Sequence, residues 1–169
     1  MLASLHQDPA TGHRSLRATA PLHEGQVLCV FSAEDVLDHP TRFTLQIDEG
    51  KHILLHPEAL WYTNHSCSPN IFFDTETMEI VCLRDVAAGE ELAFFYPSTE
   101  WRMAEPFDCH CGNPGCLHRI SGASVLPNEV LQRYRLTAYV QRKWAERAGR
   151  AAAGGDAALA PEAGGNSGT

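Results

Sequence analysis

Cys109, Cys111 and Cys116 stand in a C-x-C-x4-C pattern, with Gly112-Asn113-Pro114-Gly115 between the second and third thiols. That insert has turn chemistry and folds the third thiol back on the first two. Structural zinc takes four soft ligands in a tetrahedron, so three local cysteines leave one ligand to be supplied, and His110 and His118 are within reach. Two other stretches are the most distinctive in the chain. One is the heptad Asn64-His65-Ser66-Cys67-Ser68-Pro69-Asn70; the other is Gly89-Glu90-Glu91-Leu92-Ala93-Phe94-Phe95-Tyr96, which ends on a tyrosine just before Pro97. Cys29 and Cys82 lie within apolar strand patterns and read as small buried hydrophobes.

The elements that must position these residues are short. Residues 16–30 have a loose strand pattern broken at Pro21 and at His23-Glu24-Gly25, the latter a turn. Residues 26–31 are nearly all apolar and predict a buried strand. Residues 43–47 alternate as a half-buried strand does, residues 48–51 read as a hairpin turn, and residues 52–55 as the return strand. Residues 71–73 and 78–83 flank a polar turn, and Ala87-Ala88-Gly89 makes another. Many short strands joined by turn chemistry mean a β-rich domain. From Asn128 the period changes: Val130, Leu131, Tyr134, Thr137, Ala138 and Trp144 recur near helical spacing, with arginines and Lys143 on the other face. One amphipathic helix is expected. The Ala/Gly-rich end has too few large apolar residues to offset its ordering entropy and reads as disordered. No internal repeat is visible.

The heptad, the G-E-E-L-x-F-x-Y stretch and the cysteine pattern, in this order, resemble the SET-domain protein lysine methyltransferases that carry a cysteine-rich post-SET segment. The resemblance covers residues 11–122. It implies a mainly β (β-rich α+β) SET fold of small curved sheets with a threaded, knot-like C-terminal part, a zinc-bound post-SET segment and a C-terminal helix. The resemblance implies a SET domain at 11–104 and the zinc segment at 105–122, to which periodicity and composition add the helix at 126–148 and a disordered tail at 149–169. The implied reaction moves a methyl group from S-adenosylmethionine to a lysine ε-amine in a protein or peptide. Such a site must align donor and acceptor, exclude water and present the amine neutral.

By the same resemblance Tyr96 is the catalytic tyrosine, whose hydroxyl orients the amine. Asn64 and His65 hold the cofactor through main chain and side chains. Trp101 matches an aromatic that stacks on adenine, and Phe43 matches another cofactor contact. Phe94, Phe73 and Phe31 line the lysine channel, and three phenylalanines there imply room for di- or trimethylation. Cys67 joins Cys109, Cys111 and Cys116 on Zn(2+). The chain departs from the family at two points. Its G-x-G glycines are absent from His13-Arg14-Ser15-Leu16-Arg17-Ala18, where only Gly12 stands near, and Phe31 replaces a tyrosine. Those departures leave a second function open, a non-catalytic SET module that binds a lysine-containing peptide or protein.

Composition narrows the rest. The net charge of −8 over 169 residues argues against direct nucleic-acid binding, which needs a basic face, and suits a basic protein substrate. No apolar run is long enough to span a bilayer, and residues 1–9 lack the plan of a signal peptide. A reducing compartment is therefore expected, the cytoplasm or, in a eukaryote, the nucleus, with the cysteines as thiols or metal ligands rather than disulfides.

Overall fold

The computed structural model describes residues 2–155. The chain opens with a hairpin, β1 (Ala3–Gln7) against β2 (Arg14–Ala18), in which Leu5 faces Leu16. Next come β3 (Val27–Val30) and β4 (Ser32–Leu37), then β5 (Thr44–Asp48) and β6 (Lys51–His56) around the turn at Gly50. The two-residue β7 (Asn64–His65) precedes the hairpin of β8 (Ile71–Asp74) and β9 (Glu79–Cys82). Three more short strands follow, β10 (Ala93–Phe94), β11 (Phe107–Asp108) and β12 (Arg119–Ile120). They assemble as three two-stranded pairs and two three-stranded sheets, ordered β3-β9-β8 and β4-β6-β5. A fold of small sheets around one core is what the turn-rich sequence predicts.

Most of that core is aliphatic and aromatic: Leu16, Leu45, Ile53, Phe73, Ile80 and Leu92 are each almost wholly buried. The strand expected to be buried at 26–31 is instead half-buried. Val27 and Val30 are 43% and 66% exposed, and only Leu28 and Phe31 turn inward. The strand pairs with β9 on one edge, and a register shift between Val27 and Cys29 breaks its alternation, so that Val27 and Val30 both face solvent.

Two segments of the heptad region clasp β10. Phe94 is bonded through its carbonyl to the Ser66 N–H as β7 runs parallel to β10, and Ala93 exchanges hydrogen bonds with Asn70 on the other edge. The Asn70 amide also donates to the Glu90 carboxylate and the Glu91 carbonyl. One short strand is thus held between the two ends of one heptad.

The expected single helix at 126–148 is two helices, α1 (Asn128–Leu131) and α2 (Ala138–Gly155). Tertiary bonds interrupt it. Tyr134 lies flat on Phe95, with ring centroids 3.6 Å apart, and its hydroxyl donates to the Cys67 carbonyl. The N–H and the hydroxyl of Thr137 both donate to the Ser98 carbonyl, at 3.0 and 3.1 Å. These pull the 132–137 stretch out of the helical path although its apolar period is unbroken. α2 then runs through residues 149–155, which the sequence assigns to a disordered tail; residues 156–169 of that tail lie outside the described residues. A second buried cluster, with Leu131, Leu136, Tyr139 and Val140, ties these helices to Phe95 and Trp101. Gly122 permits this packing: its φ is +99°, and a Cβ there would lie 2.7 Å from the Trp101 carbonyl oxygen. No helix among the described residues is long and apolar enough to cross a membrane.

Candidate active site and cysteine cluster

The C-terminal ends of β7 and β10 open on a cavity of about 1270 Å³. Tyr96 stands at its wall, one residue past the buried Phe95, where β10 turns into a 3-10 helix (Tyr96–Ser98). The phenol donates to the Thr63 carbonyl at 3.1 Å. Burial pushes its pKa up to about 12, so it stays a neutral hydroxyl. Thr63 lines the same cavity, and its own Oγ1 is buried without a protein partner.

His65 is the side chain most tightly held by both ring nitrogens. Its Nδ1 accepts the Tyr96 N–H at 3.2 Å, which leaves the proton on Nε2, 3.3 Å from the Cys67 sulfur. Burial lowers its pKa to about 4, so the ring is neutral in that tautomer. Both imidazole nitrogens thus have partners within the protein, and the residue lines the cavity. Its main chain is different. The β7–β10 register sets Asn64 opposite Ala93 and His65 opposite Phe94, and the Phe94 carbonyl accepts from Ser66, so in this parallel pair the N–H and carbonyl of His65 lie on the edge away from β10, in a residue that lines the cavity. Asn64 uses its amide to tie His13, the Arg14 carbonyl and Glu91 together at the same rim. Gly12, with φ +71°, lies there too, so glycine does approach the cavity despite the missing G-x-G pair.

The aromatic assignments are redistributed. Trp101 is not on the cavity wall. Its indole is buried in the C-terminal cluster, and the Arg147 guanidinium lies over it. Two partners hold its main chain there: Gln46 Oε1 accepts the Trp101 backbone N–H, and Gly122 crosses its backbone. The aromatics that do face the cavity are Phe43, stacked on Trp61, together with Tyr62 and Phe107. Of the three phenylalanines assigned to a channel, only Phe94 lines it. Phe73 packs behind Phe94 and Phe31 behind Phe73, with centroids 4.7 and 5.5 Å apart, both sealed in the main core. Phe107 precedes Cys109 by two residues, so whatever pins the thiols pins it; that signal was present but unread. Glu100, also on the wall, carries no motif at all.

Below the cavity four thiols converge. The sulfurs of Cys67, Cys109, Cys111 and Cys116 all lie within 4.8 Å of one another, and neither His110 nor His118 belongs to the group. A tetrahedron with Zn–S bonds of about 2.3 Å separates its sulfurs by roughly 3.8 Å, so a small inward movement completes one. Backbone N–H groups of Leu117 and His118 already point at the Cys67 and Cys116 sulfurs. Burial, reinforced by the neighbouring thiols, pushes Cys67 up to about 12 and Cys109 up to about 11. At Cys111 burial also opposes the charge, but hydrogen bonds from the Asn113 and Cys67 backbone outweigh it and bring the thiol down to about 7. Four such groups ionise together only with a cation among them, so the donor set fits a soft divalent metal.

Comparison with known proteins agrees with this geometry. A family model described as SET domain matches residues 13–97. Methyltransferase flvH of Aspergillus flavus is 38% identical over 129 residues, 75% of this chain and 72% of that protein. The H3 lysine-36 specific histone-lysine N-methyltransferase of Aspergillus oryzae is 40% identical over 67 residues, 36% of this chain but 7% of that enzyme. Its Saccharomyces cerevisiae counterpart is 30% identical over 95 residues, 49% of this chain and 13% of that enzyme. Among solved structures, KRYPTONITE with mCHG DNA and SAH superposes with a TM-score of 0.53 at 17% identity, over 69% of this chain and 28% of that one. KRYPTONITE with mCHH DNA, an H3(1-15) peptide and SAH gives 0.51 at 18%. Both contain DNA, so the comparisons lend no support to the expectation that nucleic acid is excluded.

Proposed function

The chain belongs to the SET-domain family of methyltransferases, and from that premise we propose that it moves methyl groups from S-adenosylmethionine to the ε-amine of a lysine in a protein substrate. The observation that carries this is the meeting, in one cavity, of Tyr96 with the main-chain edge of His65 that β10 does not take up. S-adenosylmethionine, when bound, supplies a methyl group already activated by its sulfonium. The residues of this chain bind, orient and desolvate. The His65 N–H and carbonyl offer one donor and one acceptor, the pattern an amino-heterocycle needs. Asn64 and Gly12 shape the rim, and Phe43, Trp61 and Phe107 offer flat faces. The Tyr96 hydroxyl and the Thr63 oxygens accept from or donate to an amine and line the path of the methyl carbon. Cys67, Cys109, Cys111 and Cys116 would hold structural zinc.

The non-catalytic alternative loses part of its footing, because Phe31 lies behind the wall and removes no hydroxyl from the cavity. Calorimetry with S-adenosylmethionine tests the reading directly: saturable binding is expected, and no heat of binding would overturn it. Incubation of extract with labelled cofactor, followed by mass spectrometry, would then identify the substrate.

Channel width gives a second test. Phe94 alone of the three phenylalanines meets the cavity, so it sets the space beside the amine. A tyrosine there would hold a water in room that a further methyl group needs. Wild-type protein is expected to reach di- or trimethyl product, and Phe94→Tyr to shift toward monomethyl in a time course. Monomethyl product alone from wild type, after exhaustive reaction with excess cofactor, would overturn the wide channel.

A further inference from the structure

The cavity wall holds four glutamates, and three are committed or open to water. Glu90 binds Arg84, the Ala87 N–H and Asn70; Glu91 faces Asn64 and Arg17; Glu105 is exposed. Glu100 is different. It is 7% exposed, and Oε1 accepts the Gln46 N–H at 2.8 Å and the Thr99 hydroxyl at 3.2 Å. Its other oxygen, Oε2, makes no hydrogen bond among the described residues, and Glu100 lines the cavity that Tyr96 lines. The Gln46 N–H belongs to the outer edge of β5, the edge strand of its sheet, and Thr44 and Leu45 of that strand share the wall.

A lysine enters such a site as an ammonium ion, with a pKa of about 10.4 in water. It cannot attack until a proton leaves. We propose that Glu100 is the proton acceptor for the substrate ammonium, through Oε2. The inference rests on the methyltransferase reading above. In the step, an ammonium N–H bond breaks and an O–H bond forms on Glu100, the electron pair staying on nitrogen. Nitrogen then forms a bond to the methyl carbon while the carbon–sulfur bond breaks, its pair remaining on sulfur. The proton leaves Glu100 for solvent before the next turnover. Burial favours the transfer, because an ammonium and a carboxylate brought into a dry site become a neutral pair. Burial likewise raises the Glu100 carboxyl to about 7, with the Gln46 N–H opposing, which suits a group that must take and return a proton near neutrality. Glu100 follows the Tyr96–Ser98 turn, and the titratable side chains on the surrounding elements are Tyr96 on that turn, Arg42 ahead of β5, His52 opposite Gln46 on β6, and Tyr139 on α2, bonded to the Gln46 amide.

Glu100→Gln keeps an acceptor for the Gln46 N–H and removes the basic oxygen. The probe is poly-L-lysine with labelled S-adenosylmethionine in single turnover, across pH. Near pH 7 the variant's rate is expected to fall on the order of a hundredfold and then climb with pH where wild type has levelled off. Affinity for S-adenosylhomocysteine, read by calorimetry, is expected to be unchanged. A variant whose pH profile follows wild type within about twofold, on the scale such a base contributes, would overturn the role of Glu100 and leave the functional reading intact. Wild-type protein that binds cofactor yet labels neither poly-L-lysine nor any protein in extract would remove the functional reading and this role with it. Should the variant fail to fold, carbon NMR of wild-type Glu100 decides: a midpoint near neutrality supports the proposal, and one in the ordinary carboxylate range overturns it.

Discussion

Tyr96→Phe is expected to cut turnover on the order of a hundredfold or more, the scale seen when a positioned polar group is lost from a transition state. Fold and cofactor affinity should stay near wild type. The ring makes its contacts through carbon: it packs edge-on to His65 and Phe107 and tilted on Phe94, with centroids 4.7–5.9 Å apart. Phenylalanine keeps all of these. Only the bond to the Thr63 carbonyl disappears, a stability change of about 1 kcal/mol. The Tyr96 N–H, which holds the His65 tautomer, is untouched. Thermal melts and calorimetry would show an intact protein, and single-turnover methylation would show the loss. A purified variant that methylates at the wild-type rate would remove Tyr96 from the reaction.

Loss of metal is expected to be more drastic still. The apolar cluster around the thiols has only Cys67, Cys109 and Ile120 fully buried, and the β11–β12 pair is two residues long. So little packing cannot hold residues 105–122 unaided, and the binding free energy of a closed thiolate site, about 10–16 kcal/mol in small zinc peptides, would supply the difference. Chelation, or Cys111→Ser, should loosen this segment. Because Met103, Phe107, Cys109 and Cys111 form one side of the cavity, activity should vanish while the strand core stays folded. Hydrogen exchange would localise the change. Carefully purified protein without zinc by elemental analysis would overturn the assignment, and full metal occupancy in Cys67→Ser would move the fourth ligand to His110 or His118.

The strands that alternate or carry turn residues were legible: β5, β6, β8 and β9 lie where hydropathy and turn chemistry put them. β4 was not, because Ser32–Leu37 is almost wholly exposed and owes its form to hydrogen bonds from β6. β1 was missed for the same reason. The site divides similarly. Asn64, Tyr96 and the four cysteines are marked by motif, and the structure brings Asn64 and Tyr96 to one cavity and the four thiols into one cluster, of which Cys109 and Cys111 reach the cavity wall. Trp101 was misread because spacing from Tyr96 does not reveal that Gln46 and Gly122 draw the chain inward at that point. Glu100 was invisible because a glutamate in Ser-Thr-Glu-Trp looks like any surface acid until folding buries it.

The path of the chain after the last cysteine bears on where this catalytic unit ends. Tyr134 roofs Phe95, Thr137 fastens Ser98, and Tyr139 grips the Gln46 side chain. The partners of these three residues all border the segment that carries Tyr96 and Glu100: Phe95 and Ser98 adjoin Tyr96, and Gln46 anchors Glu100. The stretch after the last cysteine is thus a brace behind that segment rather than an appendage. A fragment cut at the last cysteine would contain every motif residue and still lack the part that holds this wall in place. The smallest self-sufficient unit reaches at least to Val140, so the motif-bearing span and the working enzyme have different boundaries.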